Sequence, residues 1–347
     1  MPVDDHVVLW AIPLVSLLGG VLIGIFFGLK ASTIGGRLGI IDRPDGNRKI
    51  HGSPTPLVGG VALFVSLAFG MVVDLFADHE IIQPRLWIFL VCAIFFGLGF
   101  LDDRSHLNPW GRLWVGLLTL AAATGIDPAL RISTLNFSDL LVTLQLGLLS
   151  VPFTIFTLLC LKHASNMADG MNGLFLGMSV IWIVLLLPWF NRDTLALMLP
   201  VIGTLGVMLL FNLRGRLFTG DSGVYMLTAL IGFAAVQAYT DAAGQLDAAY
   251  FASVFLIPVI DMGRVMLTRK ANGKALFTPD RNHLHHWLYA MSGNHGIAVA
   301  SYWGLCALPA LHLAIGLPTT IVVLLQLGLY TGALAWRRML QSRYSDL

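Results

Sequence analysis

Residues 218–240 of the chain read FTGDSGVYMLTALIGFAAVQAYT, a short polar motif followed at once by an apolar run. The apolar part is close to the roughly 20 residues that a helix needs to cross the ~30 Å hydrocarbon core of a bilayer. Asp221 stands between small residues at the mouth of this run, where an acidic side chain caps a helix, binds a cation, or does both. The stretch therefore predicts a membrane-spanning helix that begins with a candidate functional carboxylate.

The same succession of polar and apolar stretches continues along all 347 residues. Hydrophobic residues make up 56% of the chain and charged residues 12%, which leaves too little polar surface for a water-soluble domain. We expect one all-α polytopic membrane domain, residues 1–347, with about 11 transmembrane helices. The predicted spans are 7–29, 57–78, 86–101, 109–126, 140–161, 173–190, 194–211, 223–240, 248–267, 296–315 and 318–336.

The polar segments rich in charged and amide side chains all follow odd-numbered spans, so they share one predicted membrane face. Of the 21 Lys and Arg residues, only Arg85, Arg131 and Arg192 fall on the other face. Cytoplasmic loops carry the excess of basic residues, so we expect a cytoplasmic active site built from these loops, a cytoplasmic C-terminus and an outside N-terminus. The formal charge of +2 gives no indication of nucleic-acid binding. The segments are 30–56, 102–112, 162–172, 213–223 and 268–295.

Asp102 and Asp103 come at the end of the third span, directly before Arg104. Adjacent carboxylates at a bilayer edge repel each other unless they share a cation or a proton. The pair could simply cap its helix, but it also suits Mg²⁺ binding or removal of a proton from an attacking phosphate.

Two further segments carry side chains that fit a phosphorylated ligand. In KHASNMADGMNGL (162–174), Gly170 permits close approach of a ligand, while Asn166 and Asn172 supply amide oxygens; a plain helix–helix corner would also use Gly and Asn. The loop at 268–295 contains PDRNHLHH, and its dense cationic groups suit a diphosphate. Zinc is the alternative for its histidines, although neither Cys nor an H-E-x-x-H motif accompanies them.

With these residues in view, the chain resembles the polyprenyl-phosphate N-acetylhexosamine-1-phosphate transferase family, specifically the bacterial WecA-like branch of the glycosyltransferase family 4 / MraY superfamily. The resemblance covers nearly the whole chain and rests on several motifs in a fixed order. These are RKIHGSPTPLVGG (48–60), LDDR (101–104) with Arg112 downstream, the corner at 162–174, FTGD (218–221), and residues 258–288 from PVIDMG to HHWL.

The resemblance implies an enzyme that transfers an N-acetylhexosamine-1-phosphate, most commonly GlcNAc-1-phosphate, from a UDP-sugar to undecaprenyl phosphate and releases UMP. It implies Mg²⁺ as cofactor, with Mn²⁺ as an alternative, a multi-pass location in the bacterial inner membrane, and no nucleic-acid partner. A homodimer is compatible with the sequence.

The resemblance also implies roles for individual residues. Asp221 and Asn166 resemble metal ligands, and Phe218 and Asn172 resemble contacts to uracil, although Phe218 could instead anchor its helix at the interface. Asp102 and Asp103 resemble the catalytic pair near the acceptor phosphate. The groups that resemble holders of the diphosphate and sugar are Arg112, Arg281, His283, His285 and His286.

Some positions depart from the family pattern. Many bacterial relatives have Asp in place of Asn172, an Asn in place of His163, and a Ser where Val224 and Tyr225 follow the GDSG motif. The alternative within the class is an MraY-type phospho-N-acetylmuramoyl-pentapeptide transferase, whose histidine run lacks the PDR lead found at 279–281. A secondary transporter is a more distant alternative, because transporters place polar groups near the bilayer midplane within internal repeats.

The charge distribution generates a topology prediction that does not depend on the family. Single cysteines introduced at Ser105 and Asn282 should react only with thiol reagents that reach the cytoplasm, while one at Asp127 should react from outside. Labelling of Ser105→Cys and Asn282→Cys from opposite faces of the membrane would contradict a single active-site face.

Overall fold

The computed structural model describes residues 5–44, 53–78, 83–242, 246–276, 278 and 280–345. Within them the chain is almost entirely helical, which confirms the all-α membrane fold. The helices are α1 (Asp5–Leu29), α2 (Ala31–Leu38), α3 (Gly59–Asp78), α4 (Gln83–Ser105), α5 (Pro109–Ile126), α6 (Ser150–Ala168), α7 (Leu174–Leu186), α8 (Arg192–Leu213), α9 (Gly220–Asp241), α10 (Ala248–Ala271), α11 (Leu284–Ser292), α12 (His295–Ala307), α13 (Ala310–Ile315) and α14 (Thr319–Ser345). Two short antiparallel pairs join β1 (Ile41–Asp42) to β2 (Thr55–Pro56), and β3 (Thr134–Phe137) to β4 (Val142–Gln145).

Among the described residues, 8 helices are long and apolar enough to cross a membrane. They are α1, α3, α4, α6, α8, α9, α10 and α14. The three remaining predicted spans are also helical: α5 covers 109–126, α7 is a shorter apolar helix, and the span at 296–315 is divided into α12 and α13. Pro309, which has no backbone N–H to donate, stands at the division.

The structure corrects the predicted elements in two places. The helix predicted at 140–161 begins only at Ser150, because residues 134–137 and 142–145 alternate polar and apolar side chains and form a β-hairpin instead. The segment predicted as a long loop at 268–295 contains the helix α11.

The chain divides into two compact units. Unit 1 comprises residues 1–131 and 189–238, and unit 2 comprises residues 132–188 and 239–347. In unit 1, α8 packs on α1 and α3, and α4 packs on α3 and α5. Gly20 of α1 lies directly against the backbone of α8, where a Cβ atom would approach the Pro200 carbonyl oxygen to 1.9 Å. Small residues of this kind let membrane helices approach closely.

In unit 2, α10 is the central helix and contacts α6, α12 and α14. The buried Gln326 of α14 donates to the carbonyl oxygen of Ser253 on α10 at 3.0 Å and to that of Leu305 on α12 at 3.2 Å. One side-chain amide thus ties three apolar helices together by hydrogen bonds that water cannot replace inside a membrane.

Unit 1 contains a buried ion cluster centred on Arg85. Its side chain is 3% exposed, bonds to the carboxylate of Asp74 on α3, and lies 3.6 Å from Asp193 at the start of α8. A buried ion pair is weak evidence for net stability, but removing one partner leaves the other charge uncompensated.

Arg85→Ala should therefore lower the free energy of unfolding by about 3 to 5 kcal/mol. The measurement is the midpoint of thermal unfolding of the purified protein in detergent. The matched control is Arg192→Ala, which removes a solvent-exposed arginine on the same predicted face and should change the midpoint little. Equal midpoints for both variants would contradict a structural role for the Arg85 cluster.

Candidate functional site

The FTGD loop is fixed to the segment at 56–60 by backbone hydrogen bonds. The N–H of Phe218 donates to the Pro56 carbonyl at 2.9 Å, and the Phe218 carbonyl accepts from Gly59 N–H at 3.0 Å. The Thr219 carbonyl accepts from Gly60 N–H at 2.9 Å. A Cβ on Gly60 would come within 2.3 Å of the Gly223 nitrogen, so this close approach requires glycine. The start of α9 is thereby held in one position.

Asp103 caps the first turn of α9 from the neighbouring helix α4. Its carboxylate accepts from the N–H groups of Asp221 at 2.7 Å and Ser222 at 3.1 Å, and from the Ser222 hydroxyl at 2.8 Å. The first N–H groups of a helix have no partner within the helix and favour a negative charge. Asp103 thus positions Asp221, and its predicted catalytic role stays a prediction.

Asp102 is buried within a network of donors. It accepts from Leu107 N–H at 2.8 Å, from the Tyr225 hydroxyl at 3.1 Å, and from the Arg112 guanidinium. Arg112 Nη1 also lies 3.1 Å from the Tyr225 hydroxyl and 3.8 Å from Asp221 Oδ2. The guanidinium therefore stands between the carboxylates of Asp102 and Asp221.

The two carboxylates differ in access to solvent. The side chain of Asp102 is 4% exposed, whereas that of Asp221 is 31% exposed. An accessible carboxylate beside a buried one and a single guanidinium can hold a cation or align a charged phosphate. Among the described residues no group of three or more His, Cys, Asp or Glu side chains could hold a metal ion on its own.

The histidine segment of unit 2 is organised by Asp261 of α10, which is buried. Asp261 Oδ2 lies 3.0 Å from His283 Nδ1, and the carboxylate accepts from Leu284 N–H at 3.1 Å and from the Tyr330 hydroxyl at 3.0 Å. Arg264, one turn further along α10, donates to Asp261 Oδ1 at 2.8 Å. One carboxylate therefore joins α10, α14 and the start of α11.

Arg264 extends this network to the loop before α11. It donates to the Asn282 carbonyl and to the Tyr330 hydroxyl, and its guanidinium lies 4.6 Å from the centre of the Trp287 ring. Asp280 accepts from Arg269 at 2.8 Å and from Asn282 N–H at 2.9 Å. Burial alone would raise the pKa of Asp280, but these hydrogen bonds hold it below its usual value. The segment is thus held at both ends.

The rings of the histidine segment lie side by side. His283 and His285 are parallel with centres 5.6 Å apart, and His286 is 4.2 Å from His285. Burial, followed by the neighbouring His283 and Arg281, lowers the pKa of His286 to about 4, so its ring is neutral at physiological pH. Burial also lowers the pKa of His285.

His285 is the most enclosed of these rings. Neither of its ring nitrogens has a hydrogen-bond partner among the side chains and backbone that the structure describes. A Cβ on Gly170 would lie 2.5 Å from His285 Nε2, so the corner at 162–174 and the histidine segment meet at this glycine. An unsatisfied buried polar group is costly, which marks this point as a place where a ligand could bind.

The structure brings the predicted residues together in two groups. Asp102, Asp103, Arg112 and Asp221 meet in unit 1, and Gly170, His283, His285 and His286 meet in unit 2. Of the others, Phe218 and Asn166 are half-buried, Asn172 is half-buried in the turn before α7, and Arg281 is exposed. Residues 48–52, Phe277 and Pro279, which belong to the quoted motifs, lie outside the described residues.

The prediction of a site built from loops is corrected by this arrangement. Asp102 and Asp103 lie in the last turn of α4, Asp221 in the first turn of α9, and His285 and His286 in α11. Helix ends hold functional groups more precisely than loops do, because the helix fixes the backbone.

Sequence reasoning gave no role to Tyr225, Asp261, Arg264 or Tyr330. Tyr225 was noted only as a departure from the family pattern, yet its hydroxyl bridges Asp102 and Arg112. Asp261 and Arg264 are charged residues inside a predicted span. Because a charged side chain within a membrane costs free energy, their position alone marks them as functional candidates.

Known proteins similar to this chain point to one class of enzyme. Residues 85–239 match the model described as glycosyl transferase family 4. The chain is 27% identical over 271 residues to a probable undecaprenyl-phosphate N-acetylglucosaminyl 1-phosphate transferase of Bacillus subtilis (strain 168), covering 76% of this chain and 73% of the relative. It is 29% identical over 279 residues to the undecaprenyl-phosphate alpha-N-acetylglucosaminyl 1-phosphate transferase of Yersinia pestis, covering 76% and 73%, and 29% identical over 287 residues to that of Escherichia coli (strain K12), covering 76% and 71%. The chain is thus similar to glycosyl transferase family 4 over residues 85–239 and to these transferases over about three quarters of its length.

Proposed function

We propose that this protein transfers N-acetylglucosamine-1-phosphate, or a closely related N-acetylhexosamine-1-phosphate, from a UDP-sugar to undecaprenyl phosphate. The similar proteins named above, which are undecaprenyl-phosphate N-acetylglucosaminyl 1-phosphate transferases, support this reaction. The observation that carries the proposal is the Asp102–Arg112–Asp221 group, which lies where α4 and α9 meet the end of their spans. At that depth a lipid phosphate can meet a water-soluble donor.

In this reaction an oxygen of the acceptor phosphate attacks the β-phosphorus of the UDP-sugar. The bond from that phosphorus to the oxygen bridging the two phosphates breaks, and UMP leaves with the bridging oxygen. The product is a polyprenyl-diphosphate sugar. Phosphoryl transfer asks the protein chiefly for alignment and for neutralisation of charge on the transferring group.

The residues of unit 1 suit both tasks. Asp103 holds the first turn of α9, which fixes the backbone at Asp221. Arg112 lies beside the carboxylates of Asp102 and Asp221 and can balance the charge of an incoming phosphate. Contacts of Arg281 and His286 to the donor diphosphate and sugar are part of the proposal by resemblance: Arg281 is exposed, and the neutral ring of His286 can donate and accept a hydrogen bond.

The residues of unit 1 also fit Mg²⁺, with Mn²⁺ as the alternative. Mg²⁺ binds through one or two carboxylates and keeps several waters or substrate phosphates as its other ligands, so a complete protein cage is not required. Asp221 would be the accessible ligand, and Asp102 is the buried carboxylate of the same group. When bound, the ion would neutralise charge on the UDP phosphates. A ligand role for Asn166, and uracil contacts for Phe218 and Asn172, are part of the proposal by resemblance.

We also propose that the protein lies in the bacterial inner membrane with its active-site residues on the cytoplasmic side, and that it forms a homodimer. Its test is direct. The purified protein is incubated with undecaprenyl phosphate and a panel of UDP-sugars, and the lipid products are identified by mass. A lipid-linked diphosphate sugar together with UMP is the expected result, and the absence of product with every UDP-sugar would overturn the proposal.

Asp221→Asn should reduce turnover by more than about a hundredfold, because a metal contact supplies several kcal/mol of transition-state stabilisation. Binding of Mn²⁺ in the presence of UMP, followed by electron paramagnetic resonance, should weaken in parallel. The matched control is Asp241→Asn, the same change at the exposed opposite end of α9, which should retain activity. Unchanged Mn²⁺ binding in Asp221→Asn would remove Asp221 from the metal site.

Tyr225→Phe tests the hydroxyl that bridges Asp102 and Arg112. Loss of a hydrogen bond to a charged group costs about 1.5 to 3 kcal/mol, so kcat should fall roughly ten- to a hundredfold while KM for the UDP-sugar changes less. The ring fills the same space, so thermal stability should fall only by what the lost hydrogen bond contributes. Tyr250→Phe, which removes a buried hydrogen bond to the Leu185 carbonyl away from these groups, should leave kcat unchanged. A wild-type kcat in Tyr225→Phe would show that the hydroxyl does not position the site.

A further inference from the structure

The hairpin formed by β3 and β4 has two chemically different faces. Its register pairs Leu135 with Leu144 and Phe137 with Val142, and side chains alternate between the faces of a strand. These four apolar residues therefore share one face, which we call the apolar face of the hairpin. The opposite face carries the polar pairs Thr134–Gln145 and Asn136–Thr143, the second of them joined by a hydrogen bond of 3.1 Å.

The tip of the hairpin and the β4 side of its apolar face are exposed, whereas Leu135 and Phe137 on β3 are half-buried. Val142 is 42% exposed and Leu144 is 49% exposed, and at the tip Leu140 is 62% and Leu141 94% exposed. Leu141 also has φ +54°, a left-handed conformation that Gly or Asn adopts more easily than leucine. A large apolar side chain thus occupies the outermost position of the turn.

The hairpin is tied to the starts of two helices rather than being a loose arm. Asp139 accepts from Thr320 N–H at 2.9 Å and from the Thr319 and Thr320 hydroxyls at 3.0 Å, which caps α14. Asp247, the N-cap of α10, accepts from Ser138 N–H at 2.8 Å and from the Ser138 hydroxyl. The tip therefore stays close to the first turns of α10 and α14.

These attachments place the hairpin at the ends of three candidate spans of unit 2. The span formed with α6 begins at Gly147, two residues after β4, and its first side chain, Leu148, is 99% exposed. The helices α10 and α14, to whose starts the tip is bound, are candidate spans as well. Span ends lie at the bilayer surface, so the apolar face continues the apolar surface of the spans.

We propose that the apolar face of the hairpin and its tip lie in the lipid interface, with the polar face turned to water. A segment with one apolar and one polar face embeds about 5 to 10 Å into the boundary between headgroups and acyl chains. Because Asp139 and Asp247 fix the hairpin to α10 and α14, it sets the depth of these helices in the bilayer. On the predicted topology the leaflet is the outer one, opposite the active-site residues.

The test measures the surroundings of single side chains on one strand. The three native cysteines are replaced, and one cysteine is introduced at Val142 or Leu144 on the apolar face, or at Thr143 or Gln145 on the polar face. Each variant carries an environment-sensitive fluorophore in nanodiscs with one chain per disc. Phospholipids spin-labelled at the fifth acyl carbon should quench the probes at 142 and 144 several-fold more than those at 143 and 145, and aqueous iodide should show the reverse order.

Equal lipid quenching at all four positions, or stronger iodide quenching at 142 and 144, would overturn the proposal. Lipid quenching that disappears in discs holding two chains, together with disulfide formation between two Val142→Cys chains, would overturn it in favour of a second copy of this chain as occupant. A second measurement uses the unsubstituted protein: a phospholipid with a photoreactive group near its headgroup should leave adducts within residues 135–144, and their absence would count against the proposal.

Discussion

The carboxylate of Asp103 at the start of α9 is the interaction on which the candidate site of unit 1 depends. It joins the last turn of α4 to the first turn of α9 through three hydrogen bonds, at a depth where exposed backbone N–H groups would be costly. These bonds fix the backbone at Asp221, and Asp102, the residue before Asp103, contacts Arg112 and Tyr225. The repulsion expected of adjacent acids is resolved because each carboxylate has its own set of donors.

In unit 2, Asp261 has a role similar to that of Asp103 in unit 1. Here a buried carboxylate on α10 accepts from the backbone and the histidine at the start of α11, and a tyrosine on α14 completes the set. In both units an acidic side chain on a membrane helix satisfies the free N–H groups of another helix and so positions the polar residues that follow. Such buried carboxylates are costly unless fully hydrogen-bonded, which explains why their donors are so numerous.

Much of the fold followed from the sequence because apolar runs near 20 residues predict spans directly. The pattern did not predict the hairpin at 134–145 because its second strand adjoins an apolar run. Residues 140–161, which include that strand and part of the run, have the length of a span. Within the site, Asp221 was recognised from its place at the mouth of a helix, but its tie to Asp103 joins positions 118 residues apart and has no local signature. Asp261 precedes His283 by 22 residues, and its role becomes evident only when α10 and α11 are adjacent.

The anchoring of residues 280–286 has a consequence for the thermodynamics of ligand binding. Arg269 and Arg264 donate hydrogen bonds to this segment, and Asp261 accepts one from Leu284 N–H at its end. These bonds order the segment as the protein folds, so its conformational entropy is already lost before any ligand arrives. A ligand that contacts the segment then loses little of its binding free energy to ordering the protein. The segment is preorganised, so the selectivity of the site would come from the fit of the ligand rather than from closure of the protein around it.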